Sequence, residues 1–220
     1  MNLSSLKLKE LIIFAILGSI MFLSHMIMIW IPSVHLIGLF IAAFTLTYRS
    51  KALIPIYVYV MVYGALYGFS SWWVPYLYIW LPLWGIFFLV GRFKLPVKVK
   101  IPLYMILCAL HGISFGALYA PYWAWVFGLS FEGMIAWIIA GLPFDVVHAI
   151  SNFAAGALIV PLAELLKKLD AQLHRNSQPK IVQANETVIT AAVENDLNDT
   201  TEISNTAATV TTAAVINTLD

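Results

Sequence analysis

Charge is scarce in most of this chain. Of its 220 residues only 10% are charged and 61% are hydrophobic, where a typical soluble domain carries roughly 25% charged residues. Between Leu11 and Ala163 the acidic residues are Glu132 and Asp145 alone. A soluble globular domain is excluded, and an integral membrane protein is expected. The single cysteine, Cys108, excludes an internal disulfide and sits in an apolar segment as a packed thiol. No G-x-x-x-x-G-K-[ST] phosphate loop occurs, so the chain has no such route to ATP of its own. Nor does it contain H-E-x-x-H, G-x-S-x-G or a paired-cysteine metal pattern. His111 and Ser114 lie one helical turn apart with no third group to orient the histidine, which falls short of a catalytic constellation. No enzyme and no cofactor is expected. The twelve Lys and Arg fall in the N-terminus, two internal clusters and the C-terminal part, a topological pattern that gives no reason to expect nucleic acid as a partner.

What is present is a series of long apolar runs. The run from Leu11 to Tyr48 would be about 57 Å long as one helix, nearly twice the hydrocarbon thickness, so it folds back at Trp30-Ile31-Pro32-Ser33. The sequence predicts an all-α membrane domain over residues 1–170 with six spans, at about 10–31, 35–48, 52–70, 74–91, 101–120 and 143–163. Gly64 and Gly68, and again Gly112 and Gly116, form small-xxx-small pairs suited to close helix approach. Residues 121–140, broken by Gly128, Glu132 and Gly133, read as a long loop with a short interfacial helix. Six spans gather every Lys and Arg on one side, which makes both termini cytoplasmic. From about Asp170 the composition turns to Asn, Thr, Ala, Glu and Asp without aromatic residues, and 171–220 read as a disordered cytoplasmic tail.

The most informative stretch is Gly141 to Gly156, GLPFDVVHAISNFAAG. Asp145, His148 and Asn152 recur at three and four, which confines them to an arc of roughly 60° on one helical face. Polar groups in a membrane segment are costly and turn toward protein or solute. Pro143 suits a first turn, so the helix is predicted to begin there, with Asp145 near one membrane surface, where it could also cap exposed N–H groups. Trp73, Tyr76, Trp80 and Trp84 form one aromatic stripe, and His111, Phe115, Tyr119 and Tyr122 a second. With the polar stripe they are expected to line an outward-facing pocket for a small heterocyclic molecule. His25 and His35 are read as structural or interfacial.

On these residues the chain resembles the S components of energy-coupling factor (ECF) transporters, the substrate-capture subunits of bacterial vitamin uptake systems. The resemblance covers about residues 8–168 and rests on size, six spans, a short second span and GLPFDVVHAISNF. Many S components carry a similar Pro-Phe-Asp/Asn followed by His and Asn at helical spacing. The resemblance implies a bacterial cell-membrane protein that binds a vitamin or vitamin precursor from outside. It also implies a membrane coupling subunit and two cytoplasmic ATPases as partners, the latter using the ATP. Carried over by position, Asp145, His148 and Asn152 become substrate-binding candidates, with Trp84, Trp80 and His111 beside them. The family's Ala-xxx-Ala docking pair has its nearest match in Ala15-xxx-Ser19, so Ala15, Gly18 and Ser19 are expected to face the coupling subunit. The competing reading is a stand-alone channel or facilitator, which needs a continuous polar path across the bilayer.

Overall fold

A computed structural model describes residues 8–176. Among these residues the protein is all helical and has no strand, as expected where lipid offers no partner to exposed backbone N–H and C=O groups. The elements are α1 (Leu8–Met28), α2 (Ile37–Tyr48), α3 (Leu53–Tyr67), α4 (Leu81–Val90), α5 (Val97–Ile113), α6 (Phe115–Phe127), α7 (Phe131–Gly156) and α8 (Ile159–Asn176). Short 3-10 turns at Arg49–Ala52 and Val74–Leu77 precede α3 and α4. Four stretches are long and apolar enough to cross a membrane: Leu8–Met28, Ile37–Tyr67, Val97–Phe127 and Phe131–Gly156. Val74–Val90 is apolar and shorter. Among the described residues, 8–168 belong to one compact unit and 169–176, the C-terminal end of α8, to a second.

The burial pattern is that of a helix bundle in lipid. On α7 the buried residues are Asp145, His148, Asn152, Ala155 and Gly156, while Phe144 and Ile150 are 60% and 65% exposed. Polar and small side chains turn in, and large apolar ones turn out. The same inversion lets α5 and α6 lie almost against α7. Asp145 meets Gly116, His148 and Ala149 meet Gly112, Asn152 meets Cys108, and Gly156 meets Met105. Numbers rise by about four on one side as they fall by about four on the other, which is the register of two antiparallel helices in contact. A Cβ on Gly112 would lie 2.8 Å from Ala149 Cα, and one on Gly156 would lie 2.7 Å from Met105 Cα. Only hydrogen fits at either place. A second close pair joins α1 to α3, where a Cβ on Gly18 would lie 2.6 Å from Val58 Cβ. Between the pairs lies the innermost layer, including Ile41, Phe44, Leu83 and Phe87 from α2 and α4.

Several boundaries differ from those the sequence predicts. Residues 121–140 are largely helical rather than a loop, interrupted at Gly128, whose φ of 63° ends α6, and at Ser130, whose hydroxyl accepts from Gly133 N–H to start α7. The last predicted span therefore begins at Phe131, and Pro143 and Gly141 lie inside it. A proline in a lipid-facing helix is tolerated where neighbouring groups re-satisfy the freed backbone, so it is a poor boundary marker there. Span five bends at Ser114, which separates α5 from α6. Gly68 is no packing glycine: with φ 94° it ends α3, and nothing lies where its Cβ would be. The α8 helix runs through Asn176, into the segment read as tail, and the remainder of that segment, 177–220, lies outside the described residues.

Because backbone atoms face Gly112, Gly112→Ala has no flexible neighbour to yield. Overpacking of this kind costs about 1–3 kcal/mol, and the expected outcome is a lower melting temperature of the detergent-purified chain. Gly85→Ala, where the added methyl meets open space, is the matched control and should melt no lower than the parent.

Candidate functional site

Asp145 lies fourteen residues into α7, so it sits about 21 Å from the helix start instead of at the first turn. Its carboxylate does cap a helix, but a neighbouring one. The Gly116 N–H, in the first turn of α6, donates to both carboxylate oxygens at 3.2 and 3.1 Å. The bend at Ser114 leaves that N–H without an intrahelical acceptor, and a negative charge at a helix N-terminus is favourable. A side chain on Gly116 would collide with Asp145 Oδ2, so the glycine is what admits the carboxylate.

One and two turns further along α7, His148 and Asn152 enter a buried polar cluster. The His148 ring packs edge-on against Phe115 of α6 at 4.9 Å and against His35, just before α2, at 4.5 Å between centroids. Trp80, at the mouth of α4, is the hub: its ring lies 5.9 Å from His111 in a stacked arrangement and within 6.3 Å of His35, Tyr59, Tyr76 and Phe115. His35, Trp80, His111, His148 and Asn152 are each 8% exposed or less. Each also carries a buried polar atom without a hydrogen-bond partner: His35 Nδ1, Trp80 Nε1, His111 Nδ1, His148 Nε2 and Asn152 Oδ1. An unsatisfied buried polar atom costs about 1–3 kcal/mol, and native proteins retain few of them. Among the described residues these five are the buried side-chain polar atoms left without a partner.

Two of these atoms have their chemistry fixed by their other side. His111 Nε2 lies 2.9 Å from the Ile79 carbonyl oxygen, which only accepts, so that nitrogen carries the hydrogen and Nδ1 of the neutral ring is an acceptor. Asn152 Nδ2 donates to the Cys108 carbonyl at 3.3 Å, which turns Oδ1 toward Gly38. Gly38 leaves room there, since a Cβ on it would lie 3.1 Å from Oδ1. Trp80 Nε1 is a donor only.

Of the residues singled out in the sequence, Trp80, His111 and His148 are linked through ring contacts with one another, His35 and Phe115. Asn152, one turn further along α7, bonds the Cys108 carbonyl beside Gly38, and Asp145, one turn before His148, has its carboxylate turned to Gly116. Trp84 does not join them. Its Nε1 donates to the Arg49 carbonyl at 3.3 Å, beside an Arg49 guanidinium that donates to the Phe88 carbonyl and lies over the Phe88 ring. The predicted stripe stops at Trp80: Trp84 stands one α-helical turn further on, its N–H bonded to the Trp80 carbonyl at 3.0 Å, and that turn carries its ring to Phe88 instead of His111. The His111–Phe115–Tyr119 stripe holds across the bend, whereas Tyr122 turns to Trp125. His35 is the site residue that sequence reasoning missed; it precedes the first turn of α2 and no spacing links it to α7. Gly18 is buried against α3 and does not face outward, while Ala15 and Ser19 are exposed and joined by a Ser19 hydroxyl to Ala15 carbonyl bond of 2.9 Å. Among the described residues no three His, Cys, Asp or Glu side chains converge to hold a metal ion. A groove of about 610 Å³ on the outer face of α3, lined by Leu53, Tyr57 and Met61 among others, is apolar and lies apart from the cluster. No protein-family description, curated protein or solved structure matches the chain.

Asp145→Ala strands the Gly116 N–H in the interior, and the expected loss is about 1–3 kcal/mol of stability, measured by denaturant titration in detergent. Asp145→Asn keeps an acceptor and should lose less. An Ala variant as stable as the parent would contradict the capping role.

Proposed function

We propose that this protein is the substrate-capture subunit of an ECF-type uptake transporter in a bacterial cell membrane. The observation that carries the reading is the set of five unpartnered polar atoms, contributed by α5, α7 and the segments leading into α2 and α4, inside a bundle whose outer surface is apolar. A small solute that hydrogen-bonds these atoms and packs on Trp80 and Phe115 removes their desolvation cost, which is a source of binding free energy specific to that solute. Six spans with both termini in the cytoplasm form the frame of this proposal, with the Lys and Arg clusters on the inner side. A vitamin or vitamin precursor is the cargo. In this reading the ATP-driven step belongs to a membrane coupling subunit and two ATPases, which is compatible with a chain that carries no phosphate loop. The exposed Ala15 and Ser19 on α1 supply a small-residue surface for the coupling subunit.

Native mass spectrometry of the chain, expressed without partners in a vitamin-replete host, tests the reading. The parent and Trp84→Ala should carry a co-purified small molecule, and Trp80→Ala should lose it. Retention of the same molecule by a folded Trp80→Ala chain would contradict the site.

A further inference from the structure

The chemistry of the cluster narrows the solute further than its existence does, given that the cluster is a solute site as proposed above. Charge is the first constraint. No Lys or Arg occurs from Ala52 to Gly91 or from Ile101 to Pro161, the segments that supply Trp80, His111, His148 and Asn152. A carboxylate or phosphate buried there would meet no compensating cation. The carboxylate nearest in sequence, Asp145, accepts from Gly116 N–H with both oxygens. A quaternary ammonium, whatever charge Asp145 offers it, would leave every unpartnered nitrogen and oxygen as it is.

Hydrogen-bond polarity is the second constraint. His111 Nδ1 and Asn152 Oδ1 each require a donor, and Trp80 Nε1 requires an acceptor. His35 Nδ1 and His148 Nε2 take either role according to tautomer. The side chains that carry or adjoin these atoms are rings in mutual contact: Trp80 with His111 and Phe115, and His148 with Phe115 and His35. We infer that the solute is an uncharged planar heterocycle bearing at least two N–H or O–H donors and a carbonyl-type acceptor, as a cyclic amide ring does. Its donors go to His111 Nδ1 and Asn152 Oδ1, its acceptor to Trp80 Nε1, and its faces and edges to the surrounding aromatic groups.

The test has two arms on the full chain in detergent. The molecule released by denaturing the chain is weighed in H₂O and in D₂O, which counts its exchangeable hydrogens. In parallel, calorimetry measures binding of lumichrome and hypoxanthine, which are uncharged cyclic amides, against thiamine, choline and pantothenate, which are charged. The expected result is a neutral released molecule with two or more exchangeable hydrogens, and binding of an uncharged probe in preference to every charged one. Trp80→Phe, which keeps a ring and removes the N–H, should weaken that probe about tenfold. Trp84→Phe should leave it unchanged. Release of an ion, or tighter binding of a charged probe, overturns the inference and leaves solute capture standing. No released molecule and no bound probe with the folded parent chain overturns both.

Discussion

The close approach of α5 and α6 to α7 is the constraint on which the rest of the structure depends. With backbones this near, every fourth residue of the facing stripe must be small or must find its partner in the opposite backbone. Gly112 and Gly156 meet the first condition, and Asn152 and Asp145, bonded to Cys108 carbonyl and Gly116 N–H, meet the second. In lipid there is no hydrophobic gain from bringing helices together, so packing and interhelical hydrogen bonds must hold the pair. One stripe of α7 does both. It anchors the helix at Asp145 and Gly156 and turns His148 inward between them, against Phe115 and His35.

The anchoring and the incomplete parts of the stripe differ in how they are satisfied. Both oxygens of Asp145 accept from a backbone donor, as in a structural polar group. His148 Nε2 and Asn152 Oδ1 have no such partner, and neither have His35 Nδ1, Trp80 Nε1 and His111 Nδ1. A bundle selected for stability alone would replace these groups with apolar side chains of similar volume, which costs nothing in partners. Keeping them buried and open makes sense where an occupant supplies what they lack. The same side chains that weaken the empty bundle then strengthen the occupied one, because any ligand bound to the native state adds its binding free energy to folding.

Much of this was legible in the sequence, and the failures have physical causes. Membrane character, an all-helical fold and the inward stripe of Asp145, His148 and Asn152 follow from composition and a 3.6-residue period, which survive in any helical context. Helix boundaries were less legible. Pro143 and Gly141 look like a start in a water-soluble helix, yet α7 runs through both from Phe131. That single shift turned Asp145 from a cap of its own helix into a cap of α6. Trp84 was assigned to the site by helical spacing from Trp80, and that spacing holds, but one turn along α4 is enough to carry the ring past the cluster to Arg49 and Phe88. His35 was invisible because only the tertiary fold brings the start of α2 to α7. Gly18 carries the signature of an intermolecular docking face and serves an intramolecular one, against α3; a small-residue pair does not name its partner.

The central claim is that the polar atoms around Trp80 are completed by a bound solute. An experimental structure of the chain purified from a replete host, at a resolution that separates ligand from side chain, tests it most directly. The account predicts density for one small molecule within hydrogen-bond distance of Trp80 Nε1, His111 Nδ1 and Asn152 Oδ1. Side chains repacked so that these atoms bond one another, with no density between them, would contradict it.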